Sequence, residues 1–391
     1  MFEKLVTERT SHRTVVFLSN DAIYLFNFRS PLMRLMKARG WEVVAVAPPA
    51  GGGPEKKFSD LGVRFVSWTL APAGQNALGE ILAVRRLISI LVELRPNLLF
   101  SYTIKPVIYG MIAGAIIGVR RRVAMIPGLG YAFIDGKGFR RRLVGRVARL
   151  GYWIALRLAH QVIFMNKEDR DFFASLGLLS GRARVGITNG SGVDLSLHTF
   201  SPMPDVTPVF LLVSRLQGDK GVYEFVEAAR IARRRLPDAR FVLVGAPDAS
   251  PTAVKQAEID AWVADGLIEH RGYLPDPRDE YRRCTVFVLP SYREGAPRVN
   301  FEAMAAGRAL ITTDVPGCRR TVADGRNGIL VPARDAQALA DAMIELGSDP
   351  DRARAMGVEG RKLCEDLFDL EIVARDTVAL IEGSSDTVAA G

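Results

Sequence analysis

Short apolar stretches alternate with amphipathic stretches along the first half of the chain. Six apolar stretches have the length and flanking turn formers of buried strands, and they lie at 14–19, 42–47, 63–68, 97–101, 123–126 and 162–165. The segments between them carry apolar residues at spacings of three and four and predict helices, the longest at 78–94 and 139–158. Strands that alternate with helices predict a parallel, doubly wound sheet.

The same alternation restarts in the second half of the chain. Residues 189–192 and 201–208 are rich in turn formers and predict a linker between two domains. The strands predicted after this linker lie at 209–213, 241–244, 268–271, 285–289, 309–312 and 328–331. The predicted division is a first domain at 1–200, a second domain at 201–366, and a C-terminal helix with a tail at 367–391.

Length and composition agree with this division. At 391 residues the chain is too long for one ordinary core, and its hydrophobic content of 48% and charged content of 24% are typical of a globular α/β protein. Its three cysteines lack metal-ligand spacing, so we expect a reducing cytosol and no zinc. Residues 1–13 lack the apolar core of a secretory signal, and no segment reaches the ~20 apolar residues of a membrane span.

The net charge of +9 favours an anionic partner: nucleic acid, an anionic membrane or an anionic substrate. Residues 139–158 carry six arginines and no acid. Helical spacing places five apolar residues on one stripe, namely Phe139, Leu143, Val147, Leu150 and Ile154. This pattern fits the surface of an anionic bilayer, and the alternative is a core-facing helix with a solvated basic face. Nucleic acid is disfavoured because no recognised binding module accompanies the charge.

Candidate chemistry is concentrated at 289–307, LPSYREGAPRVNFEAMAAG. A short apolar strand is followed by a tight loop containing Glu294, and a helical pattern begins at Arg298. The loop therefore lies at the carboxyl end of a strand, where open α/β sheets bind ligands. Gly295 lets the backbone approach a ligand, and the helix start offers N–H groups to an anion. With Glu302 two turns further on, the stretch suits a ligand that carries both hydroxyls and phosphates.

An ordinary strand, loop and helix with two solvated glutamates is the alternative interpretation. The full string, followed by RALITTDVPGC at 308–318, instead resembles the signature of retaining, nucleotide-sugar-dependent glycosyltransferases of family 4. The resemblance is specific over 213–331. It implies an α/β protein of the GT-B fold, in which two Rossmann-like, doubly wound parallel-sheet domains face a central cleft. It also implies an N-terminal acceptor domain, a C-terminal nucleotide-sugar domain and a last helix that crosses back to the first domain.

A basic turn, VSRLQGDKG at 213–221, opens the first helix of the second half. Arg215 can bind a diphosphate in a bidentate manner and Lys220 as a point charge, and the alternative is a basic surface turn. The resemblance assigns Arg215 and Lys220 to the donor diphosphate and its departure, Glu294 to the donor sugar hydroxyls, and Glu302 to the ribose. The other donor contacts that it implies are Gly245, Tyr273, Leu274, Gly295, Ala296, Pro297, Arg298 and Val299. The first three of these lie in turns that also fit a purely structural role.

The acceptor side is less well marked. Many relatives carry a glycine-rich loop after the first strand, whereas this chain has SNDAIY, with Asn20 and Asp21 as candidate contacts. Lys105 stands where relatives often have histidine. It either contacts a phosphate of the acceptor or donor, or it is a solvated charge of the loop. The loop at 125–135 resembles the acceptor-side loop of transferases that lengthen polyprenyl-linked sugars, among them those that add N-acetylgalactosamine to a bacillosamine-bearing carrier. Its candidate contacts are Gly128, Gly130 and Asp135.

The resemblance thus implies a retaining transfer of a sugar, from a UDP-linked donor, onto a polyprenyl-diphosphate glycan at the cytoplasmic face of the cell membrane. In such enzymes the leaving diphosphate accepts the acceptor proton, so we expect core or surface roles for the four histidines, His12, His160, His198 and His270. We expect no metal or other cofactor, because no Asp-x-Asp pair ends a strand. The alternatives are a GT-B nucleotide-sugar epimerase and a non-catalytic sugar-nucleotide-binding protein.

Overall fold

A computed structural model describes residues 13–51, 53–70, 77–129, 139–248, 250 and 252–383. The chain forms two compact units, each with its own parallel sheet. Unit 1 comprises Met1–Thr188 with Ala374–Gly391, and unit 2 comprises Asn189–Val373. No helix in the described ranges is long and apolar enough to cross a bilayer.

The sheet of unit 1 has seven parallel strands in the described residues. They are β1 (Arg13–Leu18), β2 (Trp41–Ala47), β3 (Arg64–Ser67), β4 (Leu98–Tyr102), β5 (Arg121–Ile126), β6 (Gln161–Phe164) and β7 (Arg184–Ile187). Their spatial order is β3-β2-β1-β4-β5-β6-β7. The central strands β1, β4 and β6 are buried on both faces, which is why they read as near-continuous apolar runs in the sequence.

Helices connect these strands and cover the sheet. They are α1 (Ala22–Ala38), α2 (Pro54–Asp60), α3 (Ala77–Leu94), α4 (Ile104–Ile116), α5 (Phe139–Leu158) and α6 (Lys167–Ser175). The core on one side of the sheet joins α3, α4 and α5 through residues such as Leu87, Val107 and Tyr152. Every connection returns to a parallel strand, so the helices are the crossovers that a parallel sheet requires.

Unit 2 repeats the plan with six parallel strands among the residues that the structure describes. They are β8 (Val209–Val213), β9 (Arg240–Val244), β10 (Glu269–His270), β11 (Val286–Leu289), β12 (Ala309–Thr313) and β13 (Gly328–Val331), in the order β10-β9-β8-β11-β12-β13. The helices are α7 (Val222–Ala232), α8 (Gln256–Ala264), α9 (Arg278–Arg283), α10 (Arg298–Ala305), α11 (Ala336–Ser348), α12 (Pro350–Leu367) and the first turn of α13 (Leu370–Glu382). The prediction of two doubly wound parallel sheets is confirmed.

The strand order reverses once in each sheet. In unit 1 the chain moves outward from β1 to β3 and then returns to place β4 on the other side of β1. In unit 2 the same reversal places β11 beside β8. At such a switch point the loops that leave the two central strands diverge and open a crevice at the carboxyl edge of the sheet. The topology therefore locates one candidate ligand crevice in each unit.

The structural division falls at 188/189, whereas the predicted domain boundary is at 200/201. Residues after 188 join unit 2 because the backbone of Val193 bonds to Phe368 at 2.9 Å and to Leu370 at 3.0 Å. The end of α13 packs in unit 1, where Thr377 and Thr188 are hydrogen-bonded at 3.0 Å and Arg39 pairs with Glu382 at 2.6 Å.

A fully buried arginine, Arg308, ties the segment that enters unit 2 to the body of that unit. Its guanidinium donates to the Tyr281 carbonyl oxygen at 2.8 Å, to the Arg282 carbonyl oxygen at 2.9 Å and to the Ser201 carbonyl oxygen at 2.9 Å. It also donates to the Ser201 hydroxyl at 2.7 Å. These acceptors lie on separate segments, so one side chain fixes their mutual positions.

We expect Arg308→Met to lower the free energy of unfolding of the chain by about 3 kcal/mol or more, because several buried carbonyls lose their donor at once. Urea unfolding followed by circular dichroism measures this loss. Arg326→Met is the matched control, because the exposed Arg326 forms a surface ion pair with Glu359 at 3.3 Å, and its loss is expected to stay within about 0.5 kcal/mol. Equal midpoints for the two variants would contradict the clamp role of Arg308.

Candidate functional site

The crevice at the switch point of unit 2 is bounded by two loops. One loop, 214–221, follows β8, and the other, 290–297, follows β11. The two strands are parallel neighbours, with Val286 opposite Phe210, so both loops leave the same edge of the sheet. The loops touch directly, because the amide of Tyr292 donates to the carbonyl oxygen of Asp219 at 2.9 Å.

Lys220 and Glu294 meet at this point as an ion pair. The Lys220 Nζ lies 2.5 Å from the Glu294 Oε1, and the two side chains are only 17% and 15% exposed. The Ser291 hydroxyl donates to the same carboxylate oxygen at 2.8 Å. Burial by itself lowers the pKa of Lys220, but the charge and hydrogen bond of Glu294 outweigh burial and raise that pKa. Lys220 is therefore a cation held in a largely dry crevice.

Glycine at 221 allows the two loops to approach. Gly221 has φ +72°, and a Cβ there would lie 2.1 Å from the carbonyl oxygen of Pro290. Gly245, at the end of β9, is similar, because a Cβ would lie 1.8 Å from the carbonyl oxygen of Ser214. The candidate donor residue Gly245 thus has a structural reason to be glycine, and a contact with a ligand stays a prediction.

Arg215 lies on the same loop as Lys220 but has a different partner. Its side chain is 65% exposed, and its Nη1 lies 3.3 Å from the Asp248 carboxylate, which also accepts a 2.6 Å bond from Gln217. The positive charge of Arg215 lowers the pKa of Lys220, against the larger effect of Glu294. The structure thus brings the Glu294 carboxylate to Lys220 and leaves the Arg215 guanidinium near the surface.

Glu302, in the second turn of α10, is held by three neighbours. Its Oε1 lies 2.9 Å from Arg298 Nε, its Oε2 accepts a 2.8 Å bond from the Tyr281 hydroxyl, and His198 Nε2 lies 3.9 Å away. Burial lowers the pKa of His198, Glu302 opposes that effect and Arg298 adds to it. The sequence interpretation did not connect Tyr281 or His198 with Glu302, because nothing in their local pattern indicates which element they pack against.

The remaining donor candidates line the same edge of unit 2. Pro297 is the N-cap residue of α10, and its own side chain makes no capping hydrogen bond. Gly295, Ala296 and Val299 belong to the same loop and first turn. Tyr273, after β10, is 73% exposed, and Leu274 packs partly against the core.

The acceptor candidates of unit 1 already have protein partners. The Thr103 hydroxyl donates to Asn20 Oδ1 at 2.7 Å, which links the loops after β1 and β4. Asp21 caps α1 by accepting a 2.7 Å bond from the amide of Tyr24. Lys105 Nζ pairs with Glu80 Oε1 at 2.5 Å. Ligand contacts for these residues stay predictions.

The third acceptor loop is described only in part. Gly128 follows β5 and is partly buried, whereas Gly130 and Asp135 lie outside the described residues. Within the described residues, no group of three or more His, Cys, Asp or Glu side chains is placed to hold a metal ion. The described side chains at the switch point of unit 2 offer the carboxylates of Glu294 and Glu302 and the cations of Lys220, Arg215 and Arg298.

Two family models match consecutive parts of the chain. The model described as "Glycosyl transferase 4-like domain" matches residues 30–188, and the model described as "Glycosyl transferases group 1" matches residues 207–349. These matches fall in unit 1 and unit 2, respectively. The recognition of a family 4 glycosyltransferase from its sequence motifs is confirmed.

Individual proteins agree with the family models. The chain is 28% identical over 348 residues to the N,N'-diacetylbacillosaminyl-diphospho-undecaprenol alpha-1,3-N-acetylgalactosaminyltransferase of Campylobacter jejuni, which covers 85% of this chain and 89% of that protein. It is 38% identical over 185 residues to the alpha-maltose-1-phosphate synthase of Mycolicibacterium smegmatis, over 44% of this chain and 47% of that protein. The crystal structure of Anabaena HepE in complex with UDP and glucose superimposes with a TM-score of 0.74 at 19% identity, over 95% of this chain and 100% of that one. That last likeness confirms the GT-B fold.

We expect Gly221→Ala to destabilise the chain more than Gly266→Ala. Both glycines have positive φ, +72° and +65°, so both substitutions incur about 1–2 kcal/mol of backbone strain. Only at 221 does the new Cβ meet an atom, the Pro290 carbonyl oxygen, and forced displacement adds about 1–3 kcal/mol. Chemical unfolding of both variants measures the difference. Equal losses would show that the two loops of the crevice are not in tight contact.

Proposed function

Given that the chain belongs to the family 4 glycosyltransferases, which have the GT-B fold, we propose that it moves a sugar from a nucleotide-diphosphate donor to a lipid-linked glycan. The donor is a UDP-sugar, the acceptor glycan is carried on a polyprenyl diphosphate, and the anomeric configuration is retained. The product contributes to a bacterial cell-surface polysaccharide or glycoprotein glycan. The observation that carries this proposal is the partly buried Lys220–Glu294 pair at the switch point of unit 2.

The proposed chemistry is electrostatic. As the bond from the sugar to the diphosphate breaks, negative charge grows on the leaving oxygen, and a cation fixed in a dry site stabilises it most. Lys220 is such a cation, and the exposed Arg215 adds a bidentate fork for the same diphosphate. Glu294 accepts hydrogen bonds from the sugar hydroxyls and orients the ring, and Glu302 binds the ribose. The leaving diphosphate takes the acceptor proton, so no enzyme base is required. The cationic side chains of Lys220 and Arg215 take the place of a metal ion, so no metal or other cofactor is required.

Two named proteins support the choice of substrates. The HepE structure holds UDP and glucose, and the Campylobacter transferase is named for an acceptor on diphospho-undecaprenol. The C-terminal unit offers the donor site in our proposal, and the N-terminal unit supplies the acceptor contacts Asn20, Asp21, Lys105 and the loop at 125–135. A sugar-nucleotide epimerase or a non-catalytic binder is distinguished by assay, because the first alters the free nucleotide sugar and the second binds it without turnover.

Ligand-induced thermal stabilisation tests the donor first. A ligand that binds only the folded chain raises its melting temperature by mass action, so UDP and UDP-sugars are expected to do so and ADP is not. A shift with GDP alone would keep the enzyme class and overturn the UDP assignment. No shift with any nucleotide would contradict the proposed function.

Two substitutions then separate binding from transfer. We expect Glu294→Gln to lower transfer about 100- to 1,000-fold, with UDP affinity nearly unchanged, because it acts on the sugar. We expect Lys220→Ala to lower transfer and also to weaken UDP binding about tenfold, because it removes the diphosphate cation and leaves Glu294 unpaired. The control is Lys362→Ala, an exposed lysine of α12. A transfer rate of Glu294→Gln equal to that of wild type would contradict the assignment of Glu294 to the donor sugar.

We propose further that α5 holds the enzyme at the cytoplasmic face of an anionic membrane. Its inner side, which includes Ala148 and Tyr152, is buried, and Gly151 packs against Ile108 of α4. The apolar residues on its outer side remain exposed, namely Val144, Val147, Leu150, Trp153 and Ile154. Arg146 and Arg149 are exposed beside them, and the helix contains no acid. At the described positions, these exposed apolar residues favour membrane docking and disfavour the alternative of a stripe that faces the core. The side chains of Phe139 and Leu143 lie outside the described residues.

We expect Leu150→Glu to reduce binding to vesicles of phosphatidylglycerol and phosphatidylcholine at least tenfold, because it removes an apolar anchor and adds a repelled charge. Co-sedimentation measures the bound fraction, and raised salt is expected to weaken wild-type binding. Val263→Glu is the control, since Val263 is an apolar residue of α8 in unit 2 with a similarly exposed side chain. Equal retention of both variants by the vesicles would refute docking through α5.

A further inference from the structure

An arginine is buried at the switch point of unit 1. Arg29 belongs to α1, is only 3% exposed, and its Cζ lies 4.4 Å from the centroid of the Tyr102 ring. Tyr102 is the last residue of β4, which pairs with β1 at the point where the strand order reverses. Side chains of a helix lean toward its N-terminus, so Arg29 reaches back along α1 toward the carboxyl edge of the sheet.

One edge of this guanidinium has nothing to bind. Nε and Nη2 are both buried, and neither has a hydrogen-bond partner in the described residues. These two nitrogens form the side-on pair of donors of an arginine. Elsewhere in this chain, the same pair of Arg240 donates to both carboxylate oxygens of Glu269, at 2.6 and 2.8 Å. Arginine does not lose its proton in proteins, so a full charge stays in the interior. The Tyr102 ring covers a face of the cation and leaves its edge unused.

Buried charges are paired in nearly all proteins because desolvation without compensation is unfavourable. No carboxylate lies within 4 Å of Arg29 in the described part of the chain, whereas Lys105, near the start of α4, is paired with Glu80. A second departure from ordinary geometry lies next to Tyr102: Thr103 has φ +76°, which is rare for a β-branched residue, and its hydroxyl binds Asn20. A buried cation without a carboxylate partner at a sheet's switch point favours the binding of an anion.

We propose that Arg29 binds a phosphate group of the acceptor through its Nε–Nη2 edge. A guanidinium fork matches the geometry of a phosphate oxyanion, and the switch point is where a doubly wound sheet receives its ligand. Binding turns the buried Nε–Nη2 edge of Arg29 toward the crevice, and no hydrogen bond of Nε or Nη2 to a described residue is broken in that turn. The identification of the phosphate as part of a polyprenyl diphosphate rests on the proposed function. The anion site itself rests only on Arg29 and its surroundings.

The test uses the full chain with UDP at saturation, so that the donor site of unit 2 is filled. Farnesyl diphosphate and inorganic pyrophosphate are titrated calorimetrically into wild type, Arg29→Met and Arg34→Met. Arg34 is an exposed arginine of the same helix and serves as the control. We expect Arg29→Met to weaken farnesyl diphosphate binding at least tenfold and Arg34→Met to leave it unchanged. Because the removed charge has no partner, the ligand-free melting temperature of Arg29→Met is expected to equal or exceed that of wild type.

The two probes distinguish the sources of the phosphate. Tighter binding of farnesyl diphosphate than of pyrophosphate supports a lipid-linked acceptor, and equal binding that depends on Arg29 supports a site for free phosphates. Wild-type affinity of Arg29→Met for both probes would overturn the anion site. Where Arg29→Met does not fold, Arg29→Lys decides: it keeps the charge without the fork, and an affinity loss of less than about threefold would count against the site. Failure of UDP binding or of sugar transfer would contradict the proposed function, but it would not contradict the anion site at Arg29.

Discussion

The partly buried ion pair of Lys220 and Glu294 is the interaction on which the crevice of unit 2 depends. Two opposite charges remain in a largely dry site because each neutralises the other and Ser291 supplies a further hydrogen bond. The backbone makes this approach possible through Gly221, whose missing side chain leaves room for the Pro290 carbonyl. Without a ligand the site is close to electrically neutral. A diphosphate that enters it offers Lys220 a second anion, and Glu294 then becomes available for hydroxyl groups.

The two units solve the same topological problem with different side chains. Each sheet reverses its strand order between the first and the fourth strand, and each reversal brings together loops that are far apart in the sequence. In unit 2 the loops carry a matched pair of charges. In unit 1 they carry the Asn20–Thr103 hydrogen bond, and beneath them lies Arg29, a cation without a counterion among the described residues. The first unit therefore favours binding of an anion, whereas in the second unit the cation is already paired with a carboxylate of that unit.

Much of the fold was predictable because buried parallel strands are continuous apolar runs. The strand β7 was missed, since RVGI carries two apolar residues beside an arginine and a glycine. The roles proposed for Glu294 and Lys220 rest on motif and position, whereas their contact was not predicted, because it depends on the strand order that places β11 beside β8. Other features depend on packing that no local pattern encodes, such as the burial of Arg308 and the Tyr281 bond to Glu302. Asp21 is different, because an Asp before a helix is an ordinary capping signal that the interpretation as a ligand contact passed over.

The Arg308 clamp has a consequence for how the polypeptide behaves when it is cut. Residues 205–207 are exposed, and they lie between the clamped segment at 201–202 and the start of β8. The segment before the cut is held by Arg308 and by the backbone bonds of Val193. A protease that nicks the chain at 205–207 therefore severs one covalent connection and leaves the two fragments bound through the folded structure. The exposed residues 205–207 are therefore a suitable site for new chain termini or for an inserted domain, because the segment before them stays bound to unit 2.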